Sequence, residues 1–203
     1  MVKRRRKIKI FKYISLFVHL LLLGLSTAEA CTNNSWKVKA PIALELGDLV
    51  FRRGQGAWTH FFVNASSREK RFSHVGIVSG VGDEINLIHA DADEYTGRGC
   101  VHTEKWNGFF ENALECAVFR YEGDSVVASN MVVNAKRRLG VEFDSLFDMS
   151  ETNKLYCSEM VRIVVNEASK TNLVGYSEIC GRKVVALDDL YRTGFIRIYD
   201  SCE

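Results

Sequence analysis

The residues of this chain best suited to chemistry are a cysteine and a histidine far apart in sequence. Cys157 stands in Leu155-Tyr156-Cys157-Ser158-Glu159-Met160-Val161, just before an apolar run that reads as the first turn of a buried helix reaching about Ala168. The unpaired N–H groups and the dipole of a helix N-terminus stabilise an anion, so this position predicts a thiol that ionises more readily than a free one. Alone, such a cysteine reads as an inert packing residue. The balance shifts with Ser73-His74-Val75-Gly76-Ile77-Val78, a histidine opening a strand, because a thiol nucleophile needs a base that is near it in space only. The pair points to acyl-transfer chemistry, in which a thiolate attacks a carbonyl and the resulting thioester passes to water or another acceptor. The backbone N–H of Cys157 is the first donor expected for the oxyanion. For Tyr156 beside it, a role at the oxyanion or substrate and a role in packing are both open.

Several elements must position these residues. Leu46 to Gly54 reads as a Gly-Asp turn feeding a short apolar strand, and 55–71 as a polar loop whose His60 has nothing to fix its surroundings. Two strands follow, 72–79 and 85–90, joined by glycines that suit a hairpin. His74 lies on the first and His89 on the second. Side chains alternate faces along a strand, so an even loop would put both histidines on one face and an odd loop would separate them. The stretch 91–107, with His102, reads as a loop. A strand is predicted at 117–121, a helix from Asp124 or Ser125 to about Leu139 with Gly140 as its stop, and a loop at 143–148. After the Cys157 helix, 169–183 reads as a polar loop with Cys180, 187–192 as a short helix and 195–199 as a closing strand. Together these give an α+β fold, an antiparallel β-sheet packed against the helix that carries the cysteine.

The chain has 203 residues, 47% of them hydrophobic, and one proline, which suits a single domain with a sizeable core. Residues 1–30 combine seven Lys and Arg, an apolar stretch from Ile14 to Leu25 and an Ala-x-Ala ending, and read as a secretory signal. Residues 31–45 are an extended lead-in and 46–203 the domain. Without residues 1–30 the chain keeps 20 basic and 24 acidic residues, so the apparent basicity belongs to the signal and gives no footprint for nucleic acid. Cys31, directly after the cleavage site, also fits the end of a lipoprotein signal, although Glu29 departs from that pattern; membrane attachment is expected only if Cys31 is lipidated. Export makes disulfides available to Cys31, Cys100, Cys116, Cys180 and Cys202, with at least one pair among the last four expected to be oxidised and Cys157 kept free. The histidines and cysteines show no Cys-x-x-Cys or His-x-x-x-His spacing, so no metal and no other cofactor is expected. Oligomeric state is not legible.

The ordered set Gly47-Asp48, Ser73-His74-Val75-Gly76-Ile77, Ile88-His89-Ala90, Gly140 through Phe143-Asp144-x-x-Phe147, and Tyr156-Cys157-Ser158-Glu159 resembles the YiiX/YaeF-type permuted papain-like amidases, a branch of the NlpC superfamily. The likeness covers roughly residues 46–200. It implies a circularly permuted papain-like fold with Cys157 as nucleophile, His74 as base and His89 as its orienter, where many relatives carry glutamate. It also implies an exported cysteine amidase or peptidase whose substrate is a peptide or acyl-amide, peptidoglycan fragments among them. Acyl transfer or thioester hydrolysis on lipids, and binding without turnover, are the alternatives.

Overall fold

The computed structural model describes residues 34–151 and 153–203, so the expected signal segment and Cys31 lie outside the described residues. The strands are β1 (Leu49–Arg53), β2 (His74–Gly80), β3 (Asn86–Ala92), β4 (Gly99–Lys105), β5 (Glu115–Tyr121), β6 (Glu142–Phe143), β7 (Lys154–Leu155), β8 (Ser177–Ile179), β9 (Arg182–Val184) and β10 (Phe195–Asp200). The helices are α1 (Thr59–Ala65), α2 (Trp106–Phe109), α3 (Ser125–Lys136) and α4 (Cys157–Ser169). Eight strands form one sheet in the order β10-β5-β1-β2-β3-β4-β6-β7, antiparallel except between β6 and β7, and β8 pairs with β9 separately. The expected α+β architecture is therefore present, and among the described residues no helix is long and apolar enough to cross a membrane.

Both faces of the sheet are covered. Leu49 and Phe51 of β1 and Val75 and Ile77 of β2 pack toward α4, while the intervening Val50 joins a second core with Trp106, Phe109 and Phe110 on the opposite side. Helix α4 presents Met160, Val161, Val164, Val165 and Ala168, the one-sided stripe of an amphipathic helix, to the first core. Full burial of a Val or Met side chain stabilises by roughly 1.5–3 kcal/mol, so this stripe fixes the helix and with it the position of Cys157. Helix α3 packs beside α4 and begins where expected, with the Asp124 carboxylate accepting from the Val126 N–H at 2.8 Å. The lead-in is anchored too. Trp36 is buried against Phe110, and its carbonyl accepts from the Trp106 indole N–H at 2.6 Å.

Three stretches read as loops contain structure. The segment 55–71 holds α1, 91–107 holds β4, and 169–183 contributes to the β8–β9 hairpin. In β4 only Val101 is buried, so there was no alternation to reveal the strand. Conversely, the predicted helix at 187–192 is one 3₁₀ turn, Leu187–Asp189.

Cys100, Cys116, Cys157 and Cys180 are free thiols, so the expected bridge among Cys100, Cys116, Cys180 and Cys202 does not form. Geometry forbids the central pairing: Cys100 lies on β4 and Cys116 on β5, with β1, β2 and β3 between them. Four strand spacings separate them by about 19 Å, against a Cα separation below roughly 7 Å for a disulfide. The C-terminal strand is also held by charge. Arg71 donates to both carboxylate oxygens of Asp200, at 2.7 and 2.8 Å, and Arg71 Nε donates to Glu115 at 2.7 Å. Burial alone would raise the Asp200 pKa, but Arg71, the Cys202 N–H and Arg197 outweigh it and hold the carboxyl below the usual value. Asp200→Asn leaves the partly buried Arg71 with Glu115 and Glu69 as its remaining charged partners and is expected to cost about 3 kcal/mol, read as a melting temperature lower by roughly 6–12 °C. Because the folded pKa is depressed, this contribution is present above the unfolded pKa and fades as pH falls through the folded one, so wild type and Asp200→Asn should converge in stability in acid.

Candidate active site

Two histidines meet on the sheet. The ladder pairs Ile77 with Ile88 and Val78 with Leu87, then Gly80 with Asn86. The connection Val81 to Ile85 is odd in length, which alone would put His74 and His89 on opposite faces. A bulge at Ser79 inserts one residue and restores the parity. His89 therefore lies diagonal to His74 on one face, and His74 Nε2 is 2.9 Å from His89 Nδ1 with the rings nearly perpendicular. Both rings pack on Phe109. Gly76, between them in the ladder, makes room for this packing: a Cβ there would lie 3.1 Å from the Phe109 ring.

A carboxylate that sequence reasoning missed completes the chain. Register across β3 and β4 sets His89 opposite His102, with Glu104 two residues further on the same face. Glu104 Oε2 is 3.0 Å from His89 Nε2, in ion-pair contact although the ring N–H is not aimed along the line to the oxygen. The His89 interaction keeps the Glu104 carboxyl below its ordinary pKa. His89 itself is lowered by burial, with Glu104 opposing that trend. An anionic Glu104 favours the tautomer with hydrogen on His89 Nε2. His89 Nδ1 then accepts from His74 Nε2–H, and His74 Nδ1 is left with a lone pair.

His74 and Cys157 line the same cleft, of about 530 Å³. They reach it from different layers. His74 projects from the start of β2, and Cys157 sits at the first turn of α4, where the N–H groups of Val75 and Ser158 act on its sulfur. No hydrogen bond joins the thiol to His74. Such contacts commonly tighten only when substrate closes the site. The thiol does not behave as its helix position predicts. Burial pushes its pKa up to about 12 and Asp91 adds to this, against a smaller pull downward from the two N–H groups and Arg52. His74 is held well below 6.5, by burial first and then by Arg52, His89 and His102. The resting pair is a neutral thiol beside a neutral imidazole.

The cleft walls are polar. Arg52, paired with His74 across β1 and β2, donates to Asp91 at 3.1 Å and lies over Phe109. Glu94, Glu104 and Glu111 add further carboxylates, and Trp58, Phe62 and Phe143 supply one apolar side. Trp58 stacks on Phe143 with centroids 5.3 Å apart, which ties α1 to the segment preceding the cysteine. A second cleft of about 540 Å³, between Val38–Leu44 and the β2–β3 turn, is lined by no cysteine, serine, threonine or histidine.

Tyr156 is fully buried and stands away from the cleft, its hydroxyl accepting from the Val185 N–H at 2.8 Å. That engagement is the packing role, one of the two roles open to Tyr156. His60 is exposed on α1, outside this cleft. Although no metal-ligand spacing is present in the sequence, among the described residues the sheet gathers His74, His89 and Asp91, and His89, His102 and Glu104, each set with ligand atoms within 4.8 Å of one another. Local sequence spacing could not show them because they meet across strands.

Comparison with known proteins bears on these features. No curated protein matches the chain. Among solved structures it is similar to the metalloprotein YiiX from Escherichia coli O157:H7, with a TM-score of 0.63 and 15% identity over 76% of this chain and 96% of that one, a likeness of fold. The family model of the permuted papain-like amidase enzymes, YaeF/YiiX, C92 family, matches residues 43–193, from just ahead of β1 to beyond the Cys157 helix. The chain belongs to the C92 family of permuted papain-like amidases.

Proposed function

We propose that this protein is an exported cysteine amidase or peptidase that cleaves amide bonds in peptides, cell-wall peptides among them, with Cys157 as nucleophile, His74 as base, and His89 and Glu104 orienting that base. The observation that carries the reading is the His74–His89 pair on a cleft shared with Cys157. In the first half-reaction the Cys157 sulfur attacks the amide carbonyl as its proton passes to His74 Nδ1. The oxyanion forms beside the Cys157 N–H, one of the unpaired donors of the α4 N-terminus. His74 then returns the proton to the departing amine, which leaves a thioester. In the second half-reaction His74 takes a proton from water, the hydroxide adds to the thioester, and the thiol is restored as the carboxylic acid leaves.

The polar walls favour an amide substrate over an acyl lipid, which would need an apolar channel at the cysteine. Carboxylates outnumber the single guanidinium, so a protonated amine near the scissile bond fits the field of the cleft. Export rests on the character of residues 1–30, and membrane attachment on lipidation of Cys31. The test is incubation of the protein with peptidoglycan fragments, the same fragments N-acetylated, and acyl lipids, with Cys157→Ala as control. Cleavage of the free-amine fragments, weaker cleavage of the acetylated ones and none in the control is the expected result. Turnover of the lipids alone would favour the acyltransferase or thioesterase reading instead.

A further inference from the structure

We propose that His89, His102 and Glu104 form a binding site for a divalent transition-metal ion, zinc being the best match to the donor set, directly behind the base of the active site. Four observations converge. His89 and His102 are exact cross-strand partners and Glu104 follows on the same face, so the sheet itself points three ligand side chains at one spot. Their ligand atoms lie within 4.8 Å of one another. Ligands of one tetrahedral zinc at about 2.0–2.2 Å stand roughly 3.3–3.6 Å apart, so the widest pair closes by about an ångström. The half-buried Glu104 and His102 have room to supply that movement while His89 stays fixed in the core.

The second observation is on His89. Its Nε2 is fully buried, and Glu104 Oε2 stands 3.0 Å from it but off the line of a regular hydrogen bond, so the two atoms already sit about as far apart as two ligands of one ion. Third, His102 is already oriented as a ligand. Its Nδ1 lies 3.1 Å from the Cys100 carbonyl, which can only accept, so Nδ1 carries the hydrogen and Nε2 presents its lone pair. A ligating histidine commonly has this arrangement behind it. Fourth, two imidazoles and a carboxylate are a donor set suited to zinc and leave a position for water, and Glu104 also borders the cleft, which gives an ion a way in. The neighbouring group of His74, His89 and Asp91 is less apt, because His74 Nε2 and His89 Nδ1 already bond each other.

Occupation would act on catalysis through hydrogen placement. A metal on His89 Nε2 needs the lone pair there and moves the ring hydrogen to Nδ1. That hydrogen is then donated to His74 Nε2, and His74 carries its own hydrogen on Nδ1, where it can no longer receive the thiol proton. Zinc would thus switch the base off from behind without touching the nucleophile. This consequence rests on the proposed roles of His74 and Cys157; the site itself does not.

The experiment has two arms. In the first, zinc binding to full-length Cys157→Ala protein is measured by competition with a chromophoric chelator, and cobalt(II) is used to report a low-coordinate site by its visible absorption. One equivalent should bind, and His102→Ala and Glu104→Gln should each weaken binding at least ~10-fold, while His60→Ala should not. Binding that His102→Ala and Glu104→Gln both leave intact, or no stoichiometric binding, overturns the site. In the second arm, zinc should slow iodoacetamide alkylation of Cys157 in the wild-type chain and lose that effect in His102→Ala. Equal slowing in both would mean direct capture by the thiol and would overturn the switch. Because the first arm uses inactive protein and reads binding alone, its outcome is independent of whether the chain proves to be an amidase.

Discussion

Cys157→Ala and His74→Ala are expected to reduce amide hydrolysis by about four orders of magnitude or more, each as severely as the pair together, because the two groups act as a unit. The size of the effect follows from the resting state. With the thiol pushed up to about 12 and His74 held well below 6.5, almost no thiolate stands ready, and attack requires His74 to take the proton during the step. Loss of either leaves an unactivated nucleophile or none. Cys157→Ala should melt close to wild type, whereas His74→Ala, which leaves a cavity against Phe109 and His89 without its partner, is expected to lose about 1–3 kcal/mol, so its activity is read well below its melting temperature. The check is steady-state hydrolysis of the best substrate found, alongside melting curves. A His74→Ala protein within tenfold of wild type would remove His74 from the mechanism.

The second large effect concerns Glu104 and the pH profile. The productive form is the singly protonated Cys157–His74 pair, so activity should rise as His74 loses its proton and persist until the thiol ionises. The profile is therefore expected to be a broad plateau, with its acid limb below 6.5. Glu104→Gln removes the charge that supports protonated rings at His89 and, through it, His74. The sign follows: the protonated forms become less stable, the acid limb moves to lower pH, and the plateau drops roughly 10- to 100-fold because the base is weaker and its tautomer unfixed. His89→Ala should lower turnover without abolishing it. His89→Glu alone sets two carboxylates side by side, one of which must stay protonated, so a gain in activity is expected only in the His89→Glu, Glu104→Gln double variant. Profiles of kcat/KM against pH for these proteins check this. An acid limb unmoved in Glu104→Gln would leave Glu104 a bystander.

Much of this site could be read from the chain, and the parts that could not have specific causes. The α4 start at Cys157 and the strand opening at His74 were visible because an apolar run follows each. That His74 and His89 share a face was stated as a condition of loop parity. The connection is in fact odd, and the bulge at Ser79 rescues the arrangement, a local irregularity that alternation of residue types does not announce. Strand β4 was lost because one buried residue, Val101, is all its core face shows, and with it went Glu104 and His102. Helix α1 was hidden in a polar segment whose Trp58 and Phe62 pack on residues more than eighty positions away. The acidity of the thiol was misjudged for a different reason. The helix terminus is local and legible, whereas the desolvation that outweighs it depends on everything the fold piles around Cys157.

The most direct test of the account is to catch the thioester. The protein would be mixed with an activated acyl ester, quenched in acid within one turnover, digested and mapped by mass spectrometry. The account predicts an acyl group on Cys157 in wild type, none on Cys157 in His74→Ala within the same interval, and none on the exposed thiol of Cys180 beyond the level seen in unfolded protein. Acylation of Cys180 with Cys157 unmodified, or equal labelling of Cys157 with and without His74, would contradict it.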